Sequence, residues 1–102
     1  MKYGLTDKEL EIIIILFSRF ENIEKVYLFG SRAKGTYKPF SDIDITLVGD
    51  SITHSDLNNI ILAIDDLMLP YQFDISLFSN LKNEALVDHI KRNGIVLYER
   101  QK

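Results

Sequence analysis

The chain has 102 residues, of which 46% are apolar and 26% charged, with a formal net charge of −3 and no cysteine. Those numbers fit one globular domain, residues 1–102, and exclude a disordered tail, a collagen-like rod, a disulfide framework and a thiolate zinc site. The longest unbroken apolar run, 12–17, is far shorter than the roughly 20 residues that span a bilayer. No charged-then-apolar leader opens the chain and no basic cluster interrupts it, so the expectation is a cytoplasmic protein without membrane or nucleic-acid partner.

In chain order, Thr6-Asp7-Lys8-Glu9 reads as a capping box. Leu10, Ile13, Ile14 and Phe17 then recur at helical spacing, which predicts a helix over 7–20. Ile12 and Ile15 fall off that stripe, so this helix is expected to be buried on two sides or to lie against another chain. A short apolar strand is predicted over 26–29, stopped by Gly30-Ser31, followed by a helical turn and a loop through 41. A second strand covers 43–48, a helix 55–69 stopped by Pro70, and a third strand 73–78. A last helix runs from about 80 to 92, closed by Asn93-Gly94 as a C-terminal cap, and 95–98 is the final strand. The fold expected is α/β (α+β): a small mixed sheet of about four strands flanked by helices.

Chemistry concentrates on the second and third strands. Asp42 and Asp44 alternate with Ile43 and Ile45, so both carboxylates share one strand face while the isoleucines turn to the core. Asp74 alternates with Phe73 and Ile75 in the same way, so neighbouring strands would bring three acids to one pocket. At ~5 Å and an effective dielectric of about 20, each like-charged pair opposes the fold by roughly 3 kcal/mol. Protonation or a cation must relieve that repulsion. All-oxygen donors select a hard ion, Mg²⁺ or Mn²⁺, and two ions about 3.5–4 Å apart would suit phosphoryl or nucleotidyl transfer. The plainer alternative is three strand-edge acids facing water. Gly30-Ser31 after a strand is either a simple turn or an anion site with free backbone N–H groups, with Arg32 and Lys34 adding positive charge. Thr36-Tyr37 stand where a P-loop needs Lys and Ser/Thr, which excludes that motif. Tyr37 lies where it could touch a nucleotide base, whereas His54 and His89 read as surface residues.

The joint spacing is more specific than its pieces. Phe29-Gly-Ser-Arg-Ala-Lys-Gly35 followed by Ser41-Asp-Ile-Asp44 resembles the signature of the nucleotidyltransferase superfamily that includes DNA polymerase β. It is most similar to the minimal nucleotidyltransferases, the MNT-domain proteins, and the resemblance extends through Asp74 to Gly94 and Leu97-Tyr98. It implies a polymerase β-like core that transfers a nucleotide from ATP or another triphosphate using two divalent metals. On that resemblance Asp42, Asp44 and Asp74 are the metal-binding and catalytic carboxylates. Gly30, Ser31 and Arg32 are the phosphate-binding residues, and Asp74 also takes the proton of the attacking hydroxyl. Many such proteins pair with a HEPN-domain protein, a small helical RNase toxin, and act as antitoxins that adenylylate a tyrosine of that partner. The alternatives are neutralisation by contact alone and transfer to a small-molecule acceptor. So short a chain is expected to need a second chain, another copy or a helical partner, to complete its substrate walls.

Overall fold

The computed structural model describes residues 1–101. Its elements alternate as the apolar periodicity requires. Helix α1 (Asp7–Ser18) leads to strand β1 (Lys25–Phe29), the short helix α2 (Ser31–Lys34) and strand β2 (Ile43–Val48). Helix α3 (His54–Asp66), strand β3 (Phe73–Leu77), a 3₁₀ turn (Phe78–Asn80), helix α4 (Glu84–Asn93) and strand β4 (Ile95–Glu99) follow.

Capping decides where the helices begin. Thr6 Oγ1 accepts from Glu9 N–H at 3.1 Å while Thr6 N–H donates to Glu9 Oε1 at 2.9 Å, so both halves of the capping box close. The same device starts α3, where Thr53 Oγ1 accepts from Asp56 N–H and Asp56 Oδ2 accepts from Thr53 N–H, each at 3.0 Å. Sequence periodicity starts this helix one residue late, because Asp at the third position is a shorter and less conspicuous partner than Glu. Asn83 caps α4 through Leu86 N–H, so that helix begins later than expected and a 3₁₀ turn fills the gap. At its far end Gly94 has φ −66°, not the left-handed value of a glycine cap. Glycine is needed there for space instead. A Cβ would press on Ile90 O and stand 3.1 Å from Tyr27 Cδ1, so α4 can fold back closely onto β1.

The four strands form one mixed sheet in the order β3-β2-β1-β4. β1 pairs antiparallel with β2 and β4, and β2 pairs parallel with β3. A parallel pair cannot be joined by a hairpin, and α3 supplies the crossover. Ile13, Leu16 and Phe17 of α1 and Ile60 and Ile64 of α3 pack with Val26, Leu28, Ile43, Ile45 and Leu47 in one buried cluster. Both helices therefore cover the same sheet face. The opposite face is only partly covered: Ile90 of α4 is fully buried outside that cluster, near Tyr27, whose ring centroid is 6.0 Å from that of Phe78. Ile12 is half-buried and Ile15 is exposed on α1. No helix among the described residues is long and apolar enough to cross a membrane.

Leu28 sits at the centre of the covered face with no exposure. Leu28→Ala should lower the unfolding free energy by about 2–5 kcal/mol. Urea denaturation with an unchanged m-value is the check, and a midpoint equal to that of the native chain would contradict this account of the core.

Candidate active site

β1 and β2 are antiparallel, with Phe29 opposite Asp44, so the turn leaving β1 passes directly over the first residues of β2. Gly30 makes this possible. Its φ of +78° is disfavoured for any residue with a side chain, and a Cβ would collide with Asp44 Oδ2. The two halves of the motif are thus in contact, the backbone at Gly30 lying against the carboxylate of Asp44. Ser31 opens α2, and the N–H groups of Ser31, Arg32 and Ala33 have no intrahelical acceptors, the first helical bond being Lys34 N–H to Gly30 O at 3.1 Å. Gly35, with φ +81°, ends the helix, and Thr36 N–H returns to Ser31 O at 3.0 Å.

The parallel pairing of β2 with β3 sets Asp44 directly opposite Asp74, so both side chains stand on the sheet face that α1 and α3 leave bare. Asp42 lies one residue before β2, exposed like Asp74, while Asp44 is half-buried. The three predicted acids are therefore brought to one end of one face. One step deeper on that face lies a polar rung absent from the sequence reading: Thr46 Oγ1 donates to Ser76 O and Ser76 Oγ donates to Ile45 O, each at 3.4 Å. Its signal was the period of two, Asp44-x-Thr46 beside Asp74-x-Ser76. The rung ties β2 to β3 beneath the acids.

The donor chemistry fits a hard divalent ion, since the site offers carboxylate oxygens and neither sulfur nor imidazole. Among the described residues no three such side chains are already gathered into a metal cage. Asp42 and Asp74 are exposed, so their carboxylates are open to solvent.

Arg32 departs from expectation. It is only 2% exposed, and its guanidinium donates to backbone carbonyls: Nε and Nη2 to Ser41 O at 3.0 and 2.8 Å, Nη1 to Tyr3 O at 2.9 Å, and Nη2 to Pro39 O at 3.4 Å. The rings of Tyr37 and Tyr71 each lie 5.2 Å from its Cζ. Among the described residues every hydrogen bond of the guanidinium goes to a backbone carbonyl. The half-buried Tyr37 ring lies against Arg32 and is closely approached by Gly4. The exposed cation of α2 is Lys34, one turn from Ser31 and therefore on the same helix side. His54 is exposed at the start of α3, and His89 Nδ1 is 3.3 Å from Asn93 Nδ2 on α4.

The carboxyl of Asp44 is pushed above the ordinary carboxylate range, first by burial and then by the charges of Asp74 and Asp42. A raised folded-state pKa means that ionising Asp44 opposes folding. The penalty is absent below the unfolded-state value of about 3.9, grows as pH rises from there towards the raised folded-state value, and is complete above it. Asp44→Asn should therefore be more stable than the native chain near neutral pH in metal-free buffer, with the advantage vanishing below about pH 4. Melting temperatures across that range test this, and an advantage that persisted in acid would refute the electrostatic cause.

A family model described as "Polymerase beta, Nucleotidyltransferase" matches residues 11–102. The chain is 34% identical over 96 residues to "Putative protein adenylyltransferase MJ0604" of Methanocaldococcus jannaschii, covering 86% of this chain and 92% of that protein. Its fold is shared with a solved toxin–antitoxin structure with AMP-PNP at a TM-score of 0.72 and 21% identity, over 90% of this chain and 74% of that one. A mutant of the toxin–antitoxin MntA-HpeT gives a TM-score of 0.69 at 17% identity, with the same coverage of 90% and 74%. The chain belongs to the polymerase β nucleotidyltransferase family, as a minimal nucleotidyltransferase enzyme.

Proposed function

We propose that this nucleotidyltransferase moves the AMP unit of ATP onto a protein hydroxyl, a tyrosine of a HEPN-domain toxin partner, and so acts as its antitoxin. The observation that carries the reading is the meeting of Gly30, Asp44 and Asp74: an open backbone turn packed against one of two directly opposed carboxylates. Support for a protein acceptor comes from the relative whose name is that of a protein adenylyltransferase. Support for a toxin partner comes from the shared fold with MntA-HpeT.

In this reading the N–H groups of the turn and the hydroxyl of Ser31 hold the β- and γ-phosphates, and the ammonium of Lys34 offsets part of their charge. Asp42, Asp44 and Asp74 would hold divalent ions, Mg²⁺ or Mn²⁺, which neutralise triphosphate charge and polarise the α-phosphorus when bound. Asp74 stands at the outer strand of the site, exposed, and takes the proton of the acceptor hydroxyl. The hydroxyl oxygen forms its bond to the α-phosphorus as the bond to the oxygen bridging the α- and β-phosphates breaks. Pyrophosphate leaves and the acceptor keeps AMP. Burial first, and then the negative charge of Asp74 and Asp42, raises the affinity of Asp44 for a proton, and that same negative charge attracts a cation.

The test is transfer from α-labelled ATP to a co-purified HEPN-domain protein. Labelling should require Mg²⁺ or Mn²⁺ and should fall by roughly 10²–10⁴ in Asp74→Asn, with Asp42→Asn and Asp44→Asn at least as impaired. Neutralisation of the toxin at native strength by the Asp42→Asn/Asp44→Asn double variant, without labelling, would replace this reading with neutralisation by contact.

A further inference from the structure

Arg32 presents a physical problem that nucleotide binding does not resolve. A guanidinium is among the most expensive groups to bury, and a buried cation ordinarily has a carboxylate beside it. Among the described residues neither ion pair involves Arg32. Its charge is met by three backbone carbonyls and two aromatic faces instead, with Glu9 reached only through Tyr71, whose hydroxyl donates to Glu9 Oε1 at 2.9 Å. An apolar side chain would fill the same space without the desolvation penalty.

What the guanidinium accomplishes is a hydrogen-bonded link between the N-terminal turn and the turn before Asp42. Two of the carbonyls, Pro39 O and Ser41 O, belong to the turn that runs into Asp42. That turn is closed internally by Ser41 N–H to Lys38 O at 3.0 Å and Lys38 N–H to Ser41 Oγ at 2.8 Å. The third carbonyl belongs to Tyr3, in an N-terminal turn where Tyr3 and Gly4 both have positive φ and Lys2 bridges to Leu5. Gly4 is required there, because a Cβ would collide with Arg32 Nη1. Tyr3 and Glu9 lie outside residues 11–102, the span matched by the family model. Ser41 O, which takes two of the guanidinium bonds, is the carbonyl of the peptide bond into Asp42.

We infer that Arg32 is a positioning residue: it clamps the carbonyls on either side of Phe40 and thereby fixes the approach of the Asp42 carboxylate to the ion site. The N-terminal turn supplies the outer half of that clamp. The inference rests on the carboxylate site proposed above. It assigns Arg32 a role through Asp42 and none toward phosphate.

Arg32→Lys keeps the charge and most of the stem but loses the planar fork that reaches Ser41 O twice. In the full chain, with circular dichroism confirming the fold, Mn²⁺ affinity measured from free Mn²⁺ by electron paramagnetic resonance should fall about 10–100-fold, as when groups supporting a metal ligand are lost. Amide exchange should speed up across residues 36–42 while β4 and α4 keep their protection, and affinity for inorganic tripolyphosphate should not change. An Arg32→Lys chain that binds Mn²⁺ like the native protein overturns the inference, as does one that loses tripolyphosphate affinity alone. A native chain that binds no Mn²⁺ at all overturns the carboxylate site itself. Should Arg32→Lys not fold, Tyr37→Leu removes one ring from the guanidinium. It should weaken Mn²⁺ binding in the same direction, and undiminished binding there overturns the clamp equally.

Discussion

The structure depends on one electrostatically unfavourable pairing. Parallel hydrogen bonding of β2 to β3 sets Asp44 across from Asp74, two like charges on adjacent strands, with Asp42 at the same end of the sheet. Nothing in folding alone favours that arrangement, and the upward displacement of the Asp44 carboxyl reflects its burial first and the charges of Asp74 and Asp42 second. The surrounding elements hold the strands together despite it. α3 enforces the parallel register as its crossover, the isoleucines of β2 anchor the opposite face in the core, and the Thr46–Ser76 rung ties the strands just below the acids. Concentrating negative charge on a firmly packed sheet in this way costs the fold part of its own stability.

The first strand completes the arrangement. Because β1 runs antiparallel to β2, its C-terminal end meets the beginning of β2, and the turn at Gly30 lands beside Asp44. Backbone N–H groups and carboxylates of opposite polarity are thereby neighbours. Positive charge around this turn is divided between two residues of α2 with different work. Lys34 is exposed to solvent, while Arg32 is withdrawn into a nest of carbonyls and tyrosine rings.

Helix α4 and strand β4 take no direct part in the carboxylate site, yet they settle how much of the sheet remains open. Gly94 lets α4 lie close to Tyr27, on the β1 side of the bare face. The β2–β3 end stays uncovered, which leaves the acids accessible. Arg100 closes the far edge, with Nε donating to Ile23 O at 3.0 Å and Nη2 to Phe20 O at 2.8 Å. The residue that follows β4 is thus bonded to the segment between α1 and β1.

The element order, the core face of each strand and the grouping of Asp42 with Asp44 were legible in the sequence, because each follows from local periodicity: 3.6 residues in a helix, two in a strand. The motif spacing carried the family for the same reason, being a pattern along the chain. Tertiary structure alone decided that β2 and β3 are parallel neighbours in matching register, since strand order depends on the crossover path and not on any residue of either strand. It also decided the fate of Arg32, Tyr37 and Gly94. Beside Ser31 in sequence, Arg32 reads as a phosphate ligand. Only when the N-terminal turn, the 38–41 turn and Tyr71 converge does its guanidinium find carbonyls and aromatic faces around it. The local pattern says which groups are available, and the distances set by packing determine which partner each group takes.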